Sequence, residues 1–322
     1  MREPYASFSR NAIPLASQGD QVLLGAMDHT EFLAQMPAER TKALSVRSNR
    51  AGLVRLAGHM GLIALTGSAI ALALPGWPLL LPLHGVFIVF LFTLEHEATH
   101  QTPFASRRLN ECIGHCVGVI NLLPFQWFRY FHLAHHRHTH DPDKDPELLA
   151  GAKPDTWRSY LWHVSGIPTW IALMQGLFIN AMGRCRDDFL PKRARSRITI
   201  EARAYLTIYA LVLFSMLFSS AAFWLWILPS ILGQPFLRLY LLAEHSRCPH
   251  VADMLANTRT TFTTGFVRFI AWNMPYHIEH HTMPNVPFHQ LPALHQDMAK
   301  TLKETANGYG TFTRSYVATL EP

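Results

Sequence analysis

The sequence predicts an all-α integral membrane protein with four transmembrane helices, arranged as two hairpins, and further helices at the membrane interface. Of the 322 residues, 49% are hydrophobic and only 16% are charged, whereas a soluble domain has about 25% charged residues. The apolar residues are concentrated in long runs. The mean hydropathy of only +0.08 indicates that much of the remaining chain is polar.

The first hairpin is predicted from two apolar runs, residues 53–74 and 79–94, which the sequence Pro75-Gly-Trp-Pro78 separates. A helix needs about 20 residues to cross the hydrocarbon core of a bilayer. The second run is therefore short unless its helix continues through Glu95 into the residues that follow. Continuation would place His96 at the boundary between membrane and water.

The middle of the chain, residues 107–203, predicts interfacial helices. Residues 112–125 are apolar but short, and residues 157–182 are rich in aromatic residues and contain several polar breaks. Both properties are typical of helices that lie at a membrane surface rather than cross it. The sequence 141–146, with two prolines and three aspartates, predicts a helix end and a loop.

The second hairpin is predicted from residues 204–243, which carry a single charge, Arg238. Forty residues are enough for two crossings. We expect the turn within residues 223–230, where tryptophan and proline occur together. The second helix then ends at His245, and the polar residues that follow contain no further span.

The basic residues predict the orientation of these helices. Residues 1–52 hold six Lys and Arg, residues 96–203 hold fourteen, residues 244–322 hold six, and the two outer turns hold none. Because cytoplasmic loops carry the excess of Lys and Arg, both termini and the polar segments are expected in the cytoplasm. We expect a protein of the bacterial inner membrane.

Nine histidines in three clusters and one single position are the strongest functional pattern. Residues three and four apart share one face of a helix, so each cluster directs two or three imidazoles at one point. The nine predicted metal ligands are His96, His100, His132, His135, His136, His245, His277, His280 and His281.

Nine imidazoles are too many for one metal ion and suit two, with open positions for catalysis. Neutral imidazole is the commonest protein ligand for metals, and this donor set suits Fe, Zn, Cu or Ni. No catalytic residue separate from these ligands is predicted. The other ten of the 19 histidines are interpreted as packing, surface or supporting residues. A multi-metal site beside membrane helices favours oxygen activation by iron on an apolar chain.

Composition argues against two other readings of the chain. The net charge of +6 could indicate nucleic-acid binding, but the basic residues form no stripe interleaved with aromatic residues, so no nucleic-acid partner is predicted. The four cysteines have neither zinc-ribbon nor disulfide-framework spacing. They are expected to be reduced thiols.

The clusters resemble the histidine boxes of the membrane fatty acid desaturase superfamily, in its bacterial acyl desaturase branch. The similarity is specific in residues 132–139, followed by Asp145-Pro-Glu147, and in residues 273–281, followed by residues 284–292. The resemblance implies a cytosolic helical cap that carries the boxes and a non-haem di-iron site ligated by histidine. It also implies O₂-dependent removal of two hydrogens from an alkyl chain.

The resemblance also assigns His245 and divides the chain. Members have one further ligand near the end of the fourth helix, and His245 occupies that place. The predicted division is a cytosolic N-terminal segment (residues 1–52), a desaturase-like membrane catalytic domain (53–295) and a cytosolic C-terminal tail (296–322). No haem motif or nucleotide-binding glycine motif is found in the sequence. We therefore expect a separate electron donor of ferredoxin, rubredoxin or cytochrome type with its reductase.

Three alternatives remain open at this point. Relatives with similar boxes hydroxylate alkanes or ketolate carotenoids, and the boxes do not encode where the substrate lies. A small amino-acid-like metabolite is another possible substrate for desaturation. A membrane metal transporter is the alternative from a different class, but transport paths need ionisable groups within the spans, and the clusters here lie at helix ends.

Carboxylates next to the clusters are candidates for supporting the ligands. A metal-bound imidazole usually donates its second N–H to a carboxylate or a carbonyl. The candidates are Glu97, Glu244, Glu279, Asp141 and Asp145.

Overall fold

A computed structural model describes residues 27–322, and the regular structure of these residues is helical apart from two two-residue strands. Four helical segments are long and apolar enough to cross a membrane, as predicted: Ala38–Ala71, Trp77–Thr99, Lys192–Ser215 and Phe223–His245. The all-α membrane fold is therefore confirmed.

The first hairpin extends further towards the histidines than its apolar run. A short 3₁₀ turn, Trp77–Leu79, begins the second crossing, and the helix continues through Glu95 to Thr99. His96 therefore lies on the last turn of a membrane helix. The helices of this part are α1 (His29–Gln35), α2 (Ala38–Leu44), α3 (Asn49–Ala71), α4 (Leu80–Val89) and α5 (Leu91–Thr99).

The middle of the chain forms a series of shorter helices. They are α6 (Arg107–Asn121), α7 (Phe125–His138), α8 (Pro146–Leu149), α9 (Trp157–Val164) and α10 (Ile167–Ala181). Between α9 and α10 the chain bends by 58°, at Gly166, whose φ of +72° is the left-handed region that glycine adopts most easily. By length and composition this bent pair could add a fifth, broken span.

The second hairpin turns earlier than predicted. It comprises α11 (Arg195–Ser215) and α12 (Leu228–His245), joined by residues 216–222 and by a π-helical segment, Phe223–Ile227. The aromatic residues that were assigned to the turn thus form the start of the fourth span. Pro229 has no N–H to donate to the carbonyl of Leu225. His84 satisfies that carbonyl instead, with Nε2 at 3.0 Å.

The two hairpins meet where α4 crosses α12 at backbone distance. A Cβ added to Gly85 would lie 1.9 Å from the carbonyl oxygen of Pro229, and one added to Gly233 would lie 2.4 Å from the backbone of Gly85. Small residues allow such close approach of membrane helices. The contact fixes the end of α12, and with it His245, relative to α5.

The residues after α12 form a helical cap, which packs against the end of α5. Its elements are α13 (Met254–Asn257), β1 (Thr260–Thr261), α14 (Gly265–Ile270), α15 (His277–Thr282), α16 (Leu291–Met298), β2 (Thr305–Ala306) and α17 (Tyr309–Val317). The strands pair in parallel. Trp272, Ile278 and Leu294 belong to the same buried cluster as Leu94 of α5. The predicted domain boundaries at residues 52 and 295 stay predictions.

Candidate metal centre

Three helices and the end of a fourth supply the predicted ligands. His96 lies on the last turn of α5 and His100 directly follows that helix; α7 carries the second cluster, α12 ends at His245, and α15 carries the third cluster. All residues of α15 are buried. The helix spacing read from the sequence therefore places each cluster on a face that points into the protein.

The first group of imidazoles contains His96, His132, His136 and His280. One ligand atom of each lies within 4.8 Å of the corresponding atoms of the other three. His100 joins this group, because its Nε2 lies 2.8 Å from Nε2 of His132. Residues from α5, α7 and α15 thus meet although they are far apart in sequence.

The second group contains His135, His245 and His281, again with ligand atoms within 4.8 Å. Nε2 of His245 lies 3.2 Å from Nε2 of His135 and 3.1 Å from Nε2 of His277. The two groups are adjacent, since the rings of His136 and His281 stack at 4.0 Å. The structure therefore brings all nine predicted histidines together. Their role as ligands stays a prediction.

Hydrogen bonds determine which ring nitrogen of the second group faces inward. Nδ1 of His135 lies 2.9 Å from Asp145 Oδ1, and Nδ1 of His245 lies 3.3 Å from the carbonyl oxygen of Asn257. Nδ1 of His281 lies 3.3 Å from Oγ1 of Thr139. An N–H at Nδ1 that bonds outward leaves the lone pair of Nε2 pointing into the group.

This arrangement fits a metal ion. The Nε2 lone pairs of His135 and His245 face each other at 3.2 Å and repel unless a cation binds both. In the first group, both ring nitrogens of His136 and His280 are buried and have no hydrogen-bond partner among the described residues. Buried polar atoms without a partner are costly, and a bound metal would satisfy one nitrogen of each ring. The all-imidazole donors suit iron, zinc, copper or nickel.

The electrostatic surroundings keep most of these imidazoles neutral. Burial lowers the pKa of His132, His136 and His280 well below its usual range, and that of His100 to about 3. His135 differs: burial lowers its pKa, but the carboxylates of Glu147 and Asp145 outweigh that effect and raise it. Metal ligation requires the neutral imidazole, so the first group is ready to bind at neutral pH.

Three of the five predicted supporting carboxylates lie beside the imidazoles. Asp145 accepts a hydrogen bond from Nδ1 of His135. Oε1 of Glu97 lies 3.6 Å from Nδ1 of His280, and Oε1 of Glu244 lies 3.6 Å from Nδ1 of His277. The last two distances are longer than a direct hydrogen bond, so neither carboxyl group is hydrogen-bonded directly to its ring.

The other two predicted carboxylates have partners outside the nine histidines. Oδ2 of Asp141 pairs with Nζ of Lys144 at 3.1 Å on the surface. Glu279 is buried, but its carboxylate accepts from Thr260 and contacts His295. A position next to a histidine in the sequence does not place a carboxylate beside the imidazole groups, because adjacent residues of a helix face different directions.

Sequence reasoning missed Glu147. Its Oε2 lies 3.6 Å from Nε2 of His135, and its Oε1 contacts Lys153. Asp145 caps α8 by accepting from the backbone N–H of Glu147 at 2.9 Å, so one tight turn places both carboxylates around the same imidazole. The Asp-Pro-Glu motif was visible in the sequence, but it did not reveal which atoms face the site.

A profile of the fatty acid desaturase family matches residues 32–313. The chain belongs to the fatty acid desaturase family. This desaturase family member is accordingly an oxidoreductase of the membrane, and the result favours the enzyme over the metal-transport alternative. Within residues 27–322, the histidine groups described above could bind metal.

Three individual desaturases are 24–28% identical to the chain over the matched residues. A sphingolipid delta(4)-desaturase of Drosophila melanogaster is 28% identical over 238 residues, which cover 71% of this chain and 68% of that protein. A dihydrorhizobitoxine desaturase of Bradyrhizobium elkanii is 25% identical over 66% of this chain and 64% of its own. An sn-1 oleoyl-lipid 12-desaturase of Anabaena variabilis is 24% identical over 69% and 56%. The chain thus spans about half to two thirds of the length of these relatives.

Proposed function

We propose that the protein is an O₂-dependent desaturase that introduces a double bond into the alkyl or acyl chain of a lipid. The observation that carries this proposal is the pair of adjacent imidazole groups at the ends of membrane helices. The reaction takes two hydrogens from neighbouring CH₂ groups, two electrons from a donor and two protons, and it reduces O₂ to two waters. Two bound iron ions would supply the oxygen activation that unreactive C–H bonds require.

The residues of the chain hold and orient this centre. The first group, with His100, would hold one metal, and the second group, with His277, would hold the other. Asp145 and the carbonyl of Asn257 keep the Nε2 lone pairs of His135 and His245 directed inward. Helices that position ligands rigidly reduce the reorganisation needed during the reaction.

The position of the centre favours a substrate with an apolar tail. His96 lies on the last turn of the second span, and His245 is the last residue of the fourth span. A lipid chain could therefore reach the centre from the bilayer. We further propose that this end faces the cytoplasm of a bacterial inner membrane, from the distribution of basic residues. Reporter fusions should read inside at Pro322 and outside at Gly76; an outside Pro322 would refute the orientation.

A separate protein is proposed as the electron donor, of ferredoxin, rubredoxin or cytochrome type. Such carriers are usually acidic, and charge steers their association. The basic segment Lys192–Ala194, with Arg195 and Arg197, lies at the start of the third span and is one candidate contact. An acidic carrier with its reductase should be required for turnover, and added salt should slow that turnover. Full turnover with NAD(P)H alone would refute this part.

Two other functions are distinguished from lipid desaturation by their products. A hydroxylase or ketolase would use the same centre and insert oxygen into the substrate. Desaturation of a small amino-acid-like metabolite is favoured by one relative, which is named for dihydrorhizobitoxine rather than for a lipid. We retain lipid desaturation, because other relatives are named for lipid and sphingolipid substrates.

The decisive experiment is mass spectrometry of lipids and small metabolites from cells that express the protein with its electron donor. The expected product is two mass units lighter than its precursor. A product sixteen units heavier would indicate hydroxylation, and an altered small metabolite would identify the other substrate class. His136→Ala should abolish the product. His138→Ala, on the same helix but outside the nine histidines, is the matched control.

A further inference from the structure

Each imidazole group has a carboxyl group 3.6 Å from one ring, but Glu97 faces Nδ1 of His280, whereas Glu147 faces the ring nitrogen of His135 that also faces His245. Glu147 points Oε2 at Nε2 of His135, at 3.6 Å, on the side where His135 faces His245. The Glu147 side chain is 31% exposed, whereas that of His135 is 4% exposed. Glu147 therefore lies between the buried imidazoles and the solvent.

The distances match atoms that share one ion. Donor atoms about 2.1 Å from a metal lie between about 3.0 Å apart, at right angles, and about 4.2 Å apart, on opposite sides. The atom pairs His135–His245, His245–His277 and His135–Glu147 lie 3.2, 3.1 and 3.6 Å apart. All three fall within that interval.

A simple ion pair between His135 and Glu147 explains the geometry less well. The Nδ1–H group of His135 already donates a hydrogen bond to Asp145. Oε1 of Glu147 already contacts the ammonium group of Lys153. A proton added at Nε2 of His135 could face either Glu147 or His245 but not both, whereas a metal ion bound at that nitrogen could also bind Nε2 of His245 and Oε2 of Glu147.

We infer that Oε2 of Glu147 is an anionic ligand of the metal held by the second group, with Lys153 orienting the carboxylate through Oε1. The inference rests on the proposed function in taking His135, His245 and His281 as ligands. It makes the centre asymmetric, with one ion in an all-imidazole group and the other with a carboxylate. A carboxylate that can be displaced on the solvent side would open a coordination position without moving a helix.

The test is anaerobic titration of the purified, detergent-solubilised protein with Co²⁺. Stoichiometry, visible absorption and competition with a chelator are measured for wild type and variants. Wild type should bind two ions. Glu147→Gln should bind one ion as before and the second with affinity reduced at least about tenfold, with altered absorption bands. Glu147→His, which restores a ligand, should recover the second ion.

Glu304→Gln is the matched control. Glu304 is also a half-buried carboxylate, 35% exposed, paired with Arg259 at 3.3 Å, and its replacement should leave both ions bound. Two ions with wild-type affinity in Glu147→Gln would overturn the inference. Equal loss of the second ion in Glu147→Gln and Glu147→His would also overturn it, since only a structural role is then left. Fewer than two ions in wild type would instead count against the proposed di-metal function.

Discussion

The two imidazole groups are oriented by different forces. In the first group, both ring nitrogens of His136 and His280 have no hydrogen-bond partner in the described chain, so packing of α5, α7 and α15 orients the rings. In the second group, Asp145, Asn257 and Thr139 contact the outer nitrogens of the imidazoles.

This difference indicates which substitutions should weaken metal binding in each group. Packing is distributed over many contacts, so no single residue outside the ligands orients these rings alone. A hydrogen bond to one acceptor depends on that residue alone. We therefore expect the first group to respond to loss of its histidines and the second also to loss of the residues around it.

The largest expected effect is that of His136→Ala. Its ring contacts His100 and His280 of the first group and stacks on His281 of the second. Both metals should be weakened and activity should fall by more than about 100-fold, while the protein still enters the membrane, because insertion depends on the apolar spans. Metal analysis and membrane fractionation measure this. Retained activity would show that the two groups do not form one centre.

His245→Ala should have a smaller effect, confined to the second group. His245 contacts His135 and His277 through Nε2, so the metal content should fall from about two ions per chain to about one. Elemental analysis of anaerobically purified protein with iron supplied gives the count. Loss of both ions would show that the groups are coupled, and normal content with normal turnover would exclude His245 as a ligand.

Asp145→Asn should weaken the second metal without removing a ligand. The amide is a poorer acceptor for Nδ1–H of His135, and such supporting residues usually change metal affinity by about 10- to 100-fold. Chelator competition measures the effect. Glu244→Gln provides the comparison, since its carboxylate lies 3.6 Å from His277, and its effect should be smaller. An equal effect would mean that charge, rather than the hydrogen bond, supports the ligands.

Asp141→Asn should have the smallest effect. Asp141 pairs with Lys144 at the surface, and exposed ion pairs contribute about 0–1 kcal/mol. Metal content and activity should equal those of wild type. A loss of metal comparable to that of Asp145→Asn would restore Asp141 to the supporting set and would refute the distinction drawn from the structure.

Much of the fold could be predicted because the bilayer imposes simple requirements. The four spans follow from length and apolarity, and the break after the first span follows from its proline and glycine. The turn of the second hairpin was misplaced, because the aromatic residues 223–227 are equally compatible with a turn and with a helix start. In the folded chain these residues begin the fourth span, and Nε2 of His84 in α4 lies 3.0 Å from the carbonyl oxygen of Leu225.

The sequence by itself determined which histidines could act together, because helical spacing places residues three and four apart on one face. It did not determine which imidazoles belong to which group. His135 and His136 are neighbours in the chain, yet they lie in different groups. Tertiary packing alone decided this, and it alone selected Asp145 and Glu147 over Asp141 and Glu279. The physical reason is that a side chain's direction follows from its own helix, whereas its partners follow from how separate helices cross.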